Sequence, residues 1–367
     1  MPDMTVYRGM LTRIPEHLAS LLLPVSTFTF FVLGPATDPG FSLLCLLVIP
    51  LCLALDHWGP RCRKDRQACQ ARDTGNIFLC LLAMLQFANI GLMLCFVSAI
   101  EWQGASLWMG MLNLIAVRML QGTTSCASGI AVAHELIHKR DWRLRLLGRG
   151  LLVTVLYEHF AVAHLRGHHR EVATPKDPAT ARLGEDFQAF YRRALKDQFS
   201  QAWSLEARRL GTLGAGNILQ HQVLQGLLAQ TLLLAGIAYT FGLLALAVFI
   251  YQAVVAVRML ECVNYFQHWG LDRGDLRRPG EPHAWATDSW FSLHCFLGLA
   301  RHAEHHSHPS IPYQSLRYPH DSPQLPFGYF GMTFLVRLDN AGFQRMALQE
   351  LERKKTTPDG IAGMVAK

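Results

Sequence analysis

Charge is what this sequence has least of. Asp, Glu, Lys and Arg make up only 17% of its 367 residues, against 51% hydrophobic. That balance excludes an ordinary soluble domain of this length. The nine cysteines form no C-x-x-C pair, which excludes a zinc ribbon and a four-cysteine iron site. Cys45, Cys52, Cys80 and Cys95 lie inside apolar runs and read as buried free thiols. No internal repeat and no low-complexity tract is present, so solenoid and disordered-tail architectures are excluded. No small-residue cleavage site follows the first apolar run. Gly34 to Gly40 reads as a tight turn, so that run is not a signal peptide.

The apolar residues are bunched into long runs, as in a polytopic membrane protein. The runs predict helices at about 17–33, 41–55, 77–100, 107–133, 223–240 and 243–263. The first two are short and contain Pro24 and Pro50, so kinks are expected. The loop around Arg61, Arg63, Lys64 and Arg66 is basic, as is Lys139 to Arg149, whereas Glu101 to Ser106 has no Lys or Arg. Basic loops mark the cytoplasmic side. The fold expected is an all-α integral membrane protein of about six transmembrane helices. A cytoplasmic histidine-rich cap follows from 134–222 and 264–367, in one domain covering 1–367. Leu146 to Val162 is apolar but interrupted, and reads as an interfacial helix. Glu185 to Arg209 reads as a polar cytoplasmic helix, and a turn is expected at Phe241-Gly242.

Eight of the 17 histidines fall in three clusters, and a ninth candidate stands apart from them. His134 and His138 are four apart, as are His164 and His168, so each pair can share a helix face. His169 follows at once. His302, His305 and His306 repeat helical spacings, and His268 stands alone in N-Y-F-Q-H-W-G-L. Imidazoles this close repel one another if charged, and make sense neutral, as metal ligands. Nine are too many for one ion. Two ions with four or five nitrogens each use the set and leave positions open. Histidine suits Fe, Cu and Zn alike, so spacing does not name the metal. Glu135, Glu158 and Glu304 are near in sequence and are expected to hydrogen-bond around the site or to lie on the surface rather than ligate. His159, His283, His294, His308 and His320 lie outside the set, and His283 is the one expected to support it. The small residues Gly122 to Gly129 suit close helix packing. A sharper reading makes Ser125 and Gly129 the wall of a narrow substrate tunnel ending at His134.

The segments H-E-L-I-H-K, H-L-R-G-H-H-R-E-V-A-T-P-K-D-P, N-Y-F-Q-H-W-G-L and R-H-A-E-H-H-S-H-P resemble the histidine boxes of the membrane-bound alkane 1-monooxygenases. These belong to the integral-membrane di-iron hydroxylases and desaturases. The resemblance runs from about Met119 to Phe330. It implies that His134, His138, His164, His168, His169, His268, His302, His305 and His306 ligate two Fe ions. It also implies O2 as co-substrate and hydroxylation of a terminal methyl. Electrons would come from a rubredoxin or ferredoxin-type carrier with an NAD(P)H-dependent reductase. The setting would be the bacterial inner membrane with the metal site on the cytoplasmic side.

The sequence departs from the family pattern at Ala163, Gln267, Ala286 and Leu293, and Gln267 matches the xylene and cymene methyl hydroxylases. Methyl-arene hydroxylation and lipid desaturation are therefore competing activities on the same scaffold. A metal transporter is a distant alternative, disfavoured because the clusters follow the helices instead of lying at mid-membrane. The net charge of +7 sits mostly in the basic loops, which suits anionic lipid or an acidic electron carrier. No nucleic-acid partner is expected.

Overall fold

Among the described residues every regular element is helical, and two isolated β-bridges accompany the helices. The computed structural model describes residues 14–33, 39–63, 72–100, 106–211 and 218–356. The polar start, the turn after Leu33, the basic loop beyond Arg63 and the loop at Glu101 lie outside them.

Apolar helices occupy each predicted run. They are Ile14–Leu33, Pro39–Leu46 with Val48–Trp58, Arg72–Ser98, Ser106–Thr124 and Gln222–His268. Three stretches are long and apolar enough to cross a membrane: Phe41–Trp58, Gly75–Ser98 and Gln222–His268. The last has 47 residues but is not one rod, because Gly242 adopts φ 83° and ψ 174°. Straight α-helix would place residues 226 and 261 roughly 50 Å apart. Yet Glu158 packs on Gly226, while its neighbour Tyr157 donates to Glu261 at 3.0 Å. The chain therefore folds back at Gly242, where only glycine adopts that backbone freely. This is the turn expected at Phe241-Gly242.

The helices are inverted relative to a soluble protein. Leu43, Leu44, Leu81, Met84, Leu232 and Leu243 are exposed, while Gln86, Gln121, Ser125 and Gln252 are buried between helices. Ser125 Oγ donates to Gln252 at 2.7 Å and accepts from Gln86 and Gln121, each at 3.0 Å. Such hydrogen bonds join helices whose outer faces meet an apolar solvent. Of the cysteines read as buried, Cys52 is; Cys45 and Cys80 are half-buried, and Cys95 is exposed. An apolar run around a helix presents one side outward, and Cys95 lies on that side.

A polar clamp fixes the cap to the helices. Asp56, buried near the end of Val48–Trp58, accepts from Ser289 Oγ at 2.7 Å and Ser292 Oγ at 2.6 Å. It also accepts from the backbone N–H groups of Phe330 at 2.9 Å and Gly331 at 3.2 Å, at the start of Tyr329–Leu338. A Cβ at Gly328 would lie 1.7 Å from the Asp56 carboxylate, so the close approach requires glycine. Beside it Arg61 and Arg63 pair with Asp288 at 3.2 and 2.7 Å. Arg61 and Arg63 therefore lie against the segment that carries Asp288. The polar helix is Phe187–Leu210, started by Asp186, whose side chain accepts from Gln188 and Ala189 N–H. Leu146 to Val162 resolves into Trp142–Thr154 and a separate short turn of helix at Phe160–Val162.

Candidate metal centre

The second histidine box rides on a π-turn, Ala163–His168, and the first, on the helix Ala131–Ile137 and its cap His138, follows another, Ser125–Ile130. Backbone bonds there run i to i+5, so residues five apart share a face. His134, His138, His164, His169 and His305 form one group; His168, His268, His302 and His306 form a second. Within each, the ligand atoms lie within 4.8 Å of one another. The spacing of four predicts that His164 and His168 meet at one point, and the structure differs. His164 joins His169, Nε2 to Nε2 at 3.0 Å, and His168 turns to the other group. The π-turn is the cause.

Four Nε2 atoms of the first group run in sequence. His138 to His164 is 3.1 Å, His164 to His169 is 3.0 Å and His169 to His305 is 3.2 Å. A ring nitrogen carries either a proton or a lone pair. At most two of these three contacts can therefore be hydrogen bonds at once. All four nitrogens are satisfied when their lone pairs face one cation. At a metal–nitrogen distance of about 2.0–2.1 Å, right angles put neighbouring nitrogens about 2.9 Å apart and tetrahedral angles about 3.3 Å. The contacts here, with His302 to His306 at 2.9 Å, fall between these two values. Both ring nitrogens of His134 and the Nε2 atoms of His168 and His268 are buried without a protein partner. A donor set of this kind fits a metal pair.

Burial favours the neutral form of eight of the rings. It pushes His134 down to about 3, with His168 and Lys139 adding to the effect. His138, His164, His169, His302, His305 and His306 are also driven well below their usual range, by burial first and by one another second. Neutral imidazole is the form that ligates.

A second layer orients the rings. His168 Nδ1 donates to Asp177 Oδ2 at 2.8 Å, and Asp177 also accepts from Thr180 Oγ1 at 2.7 Å and Ala179 N–H at 3.2 Å. Burial works to raise the Asp177 carboxyl, but His168 and Thr180 outweigh it and hold it below the ordinary range. His268 Nδ1 donates to the backbone carbonyl of His283 at 3.3 Å. His283 thus acts through its backbone. In both cases Nε2 is left facing the group.

None of the three glutamates joins either group. Glu135 Oε1 is 3.7 Å from His134 Nδ1, and burial pushes its carboxyl up to about 7. Glu304 pairs with Arg317 at 2.8 Å. Glu158 pairs with Arg149, away from the site. Of the other histidines, His294 packs on Trp290, His159 on Tyr157 and His320 on Tyr318, and His308 lies beside Glu304.

A cavity of about 30 Å³ lies against the histidines. Ile130, Phe160, Leu260, Val263, Phe296 and Leu299 are among its walls. His134 and His164, from the first group, and His302, from the second, also line it. Ser125 and Gly129 do not line it. The Ser125 hydroxyl is occupied by three glutamines, and Gly129 faces Gln86, which a Cβ would meet at 3.6 Å. The lining face of this helix carries Cys126, Ile130 and His134, four residues apart.

The departures from the family pattern are also placed. Gln267 lines the cavity, Ala163 begins the second π-turn, and Leu293 is buried in Trp290–Cys295. Ala286 makes a backbone bridge to Gln324. Sequence reasoning missed Asp177 and Asp56. Asp177 had a signal, being the acid of the T-P-K-D-P segment, whereas Asp56 had none beyond a lone charge ending an apolar run.

The fatty acid desaturase family profile matches residues 108–335. The chain is 40% identical over 247 residues to alkane 1-monooxygenase 1 of Pseudomonas aeruginosa, covering 66% of this chain and 63% of that protein. It is 36% identical over 243 residues to alkane 1-monooxygenase 1 of Alcanivorax borkumensis, covering 64% and 59%. The xylene/toluene monooxygenase hydroxylase component of Pseudomonas putida is 28% identical over 233 residues, covering 62% and 63%. The matches thus span less than two thirds of these relatives' own length. With a profile match across more than half its length and a buried histidine centre inside the match, the chain belongs to the fatty acid desaturase family, and within it resembles the alkane 1-monooxygenases.

Proposed function

We propose that the nine histidines hold two iron ions, five residues around one and four around the other. We propose further that the protein uses O2 to hydroxylate the terminal methyl of alkanes or similar apolar chains. The observation that carries this reading is the apolar cavity lined by histidines of both groups. A C–H bond held there lies beside both metal positions. When bound, the irons would supply the O2 reduction and attack on an unactivated C–H bond that no side chain can perform. The chain's own residues do the rest. Asp177 and the His283 carbonyl hold His168 and His268 in the tautomer that leaves Nε2 free. Phe160, Phe296, Leu260 and Val263 keep water from the cavity and admit a chain end.

In the same reading the helices make six crossings. The fold-back at Gly242 supplies two of them, and the cap and the Arg61 loop face the cytoplasm of a bacterial inner membrane. Substrate enters laterally from the bilayer. Electrons come from a rubredoxin or ferredoxin-type carrier with its reductase, docking on the basic cap. Methyl-arene hydroxylation is the second reading, favoured by Gln267 at the cavity and by the similarity to the xylene/toluene component.

The test is to feed cells expressing the chain a panel of alkanes and alkylbenzenes and identify the products. Primary alcohols from alkanes support the first reading and benzylic alcohols alone support the second. Alkenes would replace both with desaturation.

A further inference from the structure

Two amides on one helix face, Asn264 and Gln267, line the cavity. Gln267 is fully buried. Its Nε2 donates to the backbone carbonyl of Leu299 at 3.2 Å and to the Tyr329 hydroxyl at 2.5 Å. Tyr329 in turn donates to the same Leu299 carbonyl. A carbonyl oxygen can only accept, so this contact assigns Nε2 to the Leu299 side and Oε1 to the other. Both amide protons are then used and the side chain is locked. Oε1 is left buried with no donor in the protein. An amide oxygen in that position is costly unless something in the cavity donates to it.

An alkane has no proton to offer; the primary alcohol made from it has one. We infer that Gln267 is a specificity residue whose Oε1 accepts the hydroxyl of a primary alcohol lying in the cavity. The site therefore binds alcohols more tightly than alkanes of equal length. The inference rests on the hydroxylase reading for the origin of the alcohol, but not for its binding. Its consequence is product inhibition governed by one amide. Hydrogen-bond recognition of a hydroxyl discriminates more sharply than an added methylene in an apolar pocket, because the alternative leaves the acceptor unpaired.

The test uses the full chain in lipid nanodiscs, without electron donor, so that nothing turns over. Binding of 1-octanol is compared with that of 1-fluorooctane, which has nearly the same shape and no donor. Each is corrected for partition into empty nanodiscs. Wild type should favour the alcohol about tenfold. Gln267→Leu should bring that ratio near one while fluorooctane binding stays within about twofold. A ratio of one in wild type, which needs no variant to fold, overturns the inference, as does an unchanged ratio in a folded Gln267→Leu protein. Selective octanol binding by a wild type that never hydroxylates octane would remove the proposed activity and leave the inference standing.

Discussion

Replacing Asp177 with Asn should empty one metal position and spare the other. The carboxylate accepts from His168 Nδ1 at 2.8 Å and Thr180 Oγ1 at 2.7 Å through one oxygen, and from Ala179 N–H at 3.2 Å through the second. Every contact is made as an acceptor. An amide cannot reproduce this. If its NH2 faces His168, two donors meet, and the ring must move its proton to Nε2, which then cannot ligate. If the NH2 faces Ala179, it meets that N–H instead. A hydrogen bond to a charged group contributes roughly 1.5–3 kcal/mol. Lost from a ligand's orientation, that is about 10- to 100-fold in metal affinity. His168 belongs only to the four-histidine group. Dialysis against a mild chelator, followed by metal analysis, should therefore take the protein from about two irons per chain to about one. His169→Ala, which removes a member of the five-histidine group, should spare the opposite iron. Wild-type retention of both ions in Asp177→Asn, or their joint loss, would refute the assignment of ligands to two separate groups.

Other outcomes follow from the same geometry. Asp56→Ala strips acceptors from two hydroxyls and two backbone N–H groups, and should lower stability by about 3 kcal/mol or more in detergent thermal unfolding; a wild-type melting curve would dissolve the clamp. Ile130→Phe should cut turnover of the longest alkanes about tenfold with iron unchanged, because Ile130 lines the cavity. The same ratio of long to short products in variant and parent would move the substrate elsewhere. Burial pushes His159 down to about 4 from 6.5, so between those values the unfolded chain takes up a proton that the folded one refuses. Stability is lost as pH falls through that window, by about 2 kcal/mol at pH 5. His159→Phe should therefore lose less on going from pH 7 to pH 5 than wild type, and an identical loss would exclude His159 as the cause. Labelling of Cys62 from the cytoplasmic side alone would support the proposed orientation, and labelling only from outside would reverse it.

How much of this was legible in the sequence depends on range. The apolar runs gave the helices because burial in lipid leaves a local, periodic record. Phe241-Gly242 marked the fold-back because the backbone there needs a residue without a Cβ. The histidine clusters came together as their density suggested, since nothing else explains so many imidazoles near helix ends. Their division was hidden. It depends on the π-turn at Ala163–His168, and a single inserted residue in a helix leaves no mark in hydrophobic spacing. Spacing could not choose the cavity face, because Cys126 and Ile130 are four apart just as Ser125 and Gly129 are. The Asp56 clamp joins residues more than 230 positions apart, a pairing that no local pattern encodes.

Two irons held by histidine alone and oxidising a chain end with O2 are the centre of the account. Octane oxidation under ¹⁸O₂, with reduced carrier supplied, tests this most directly. It should be run with protein as purified, stripped of metal, and resupplied with ferrous iron or with zinc. The account predicts 1-octanol carrying one labelled oxygen, none from stripped protein, and recovery with iron but not zinc. Unlabelled alcohol, or full activity from the stripped or zinc-loaded protein, would contradict it.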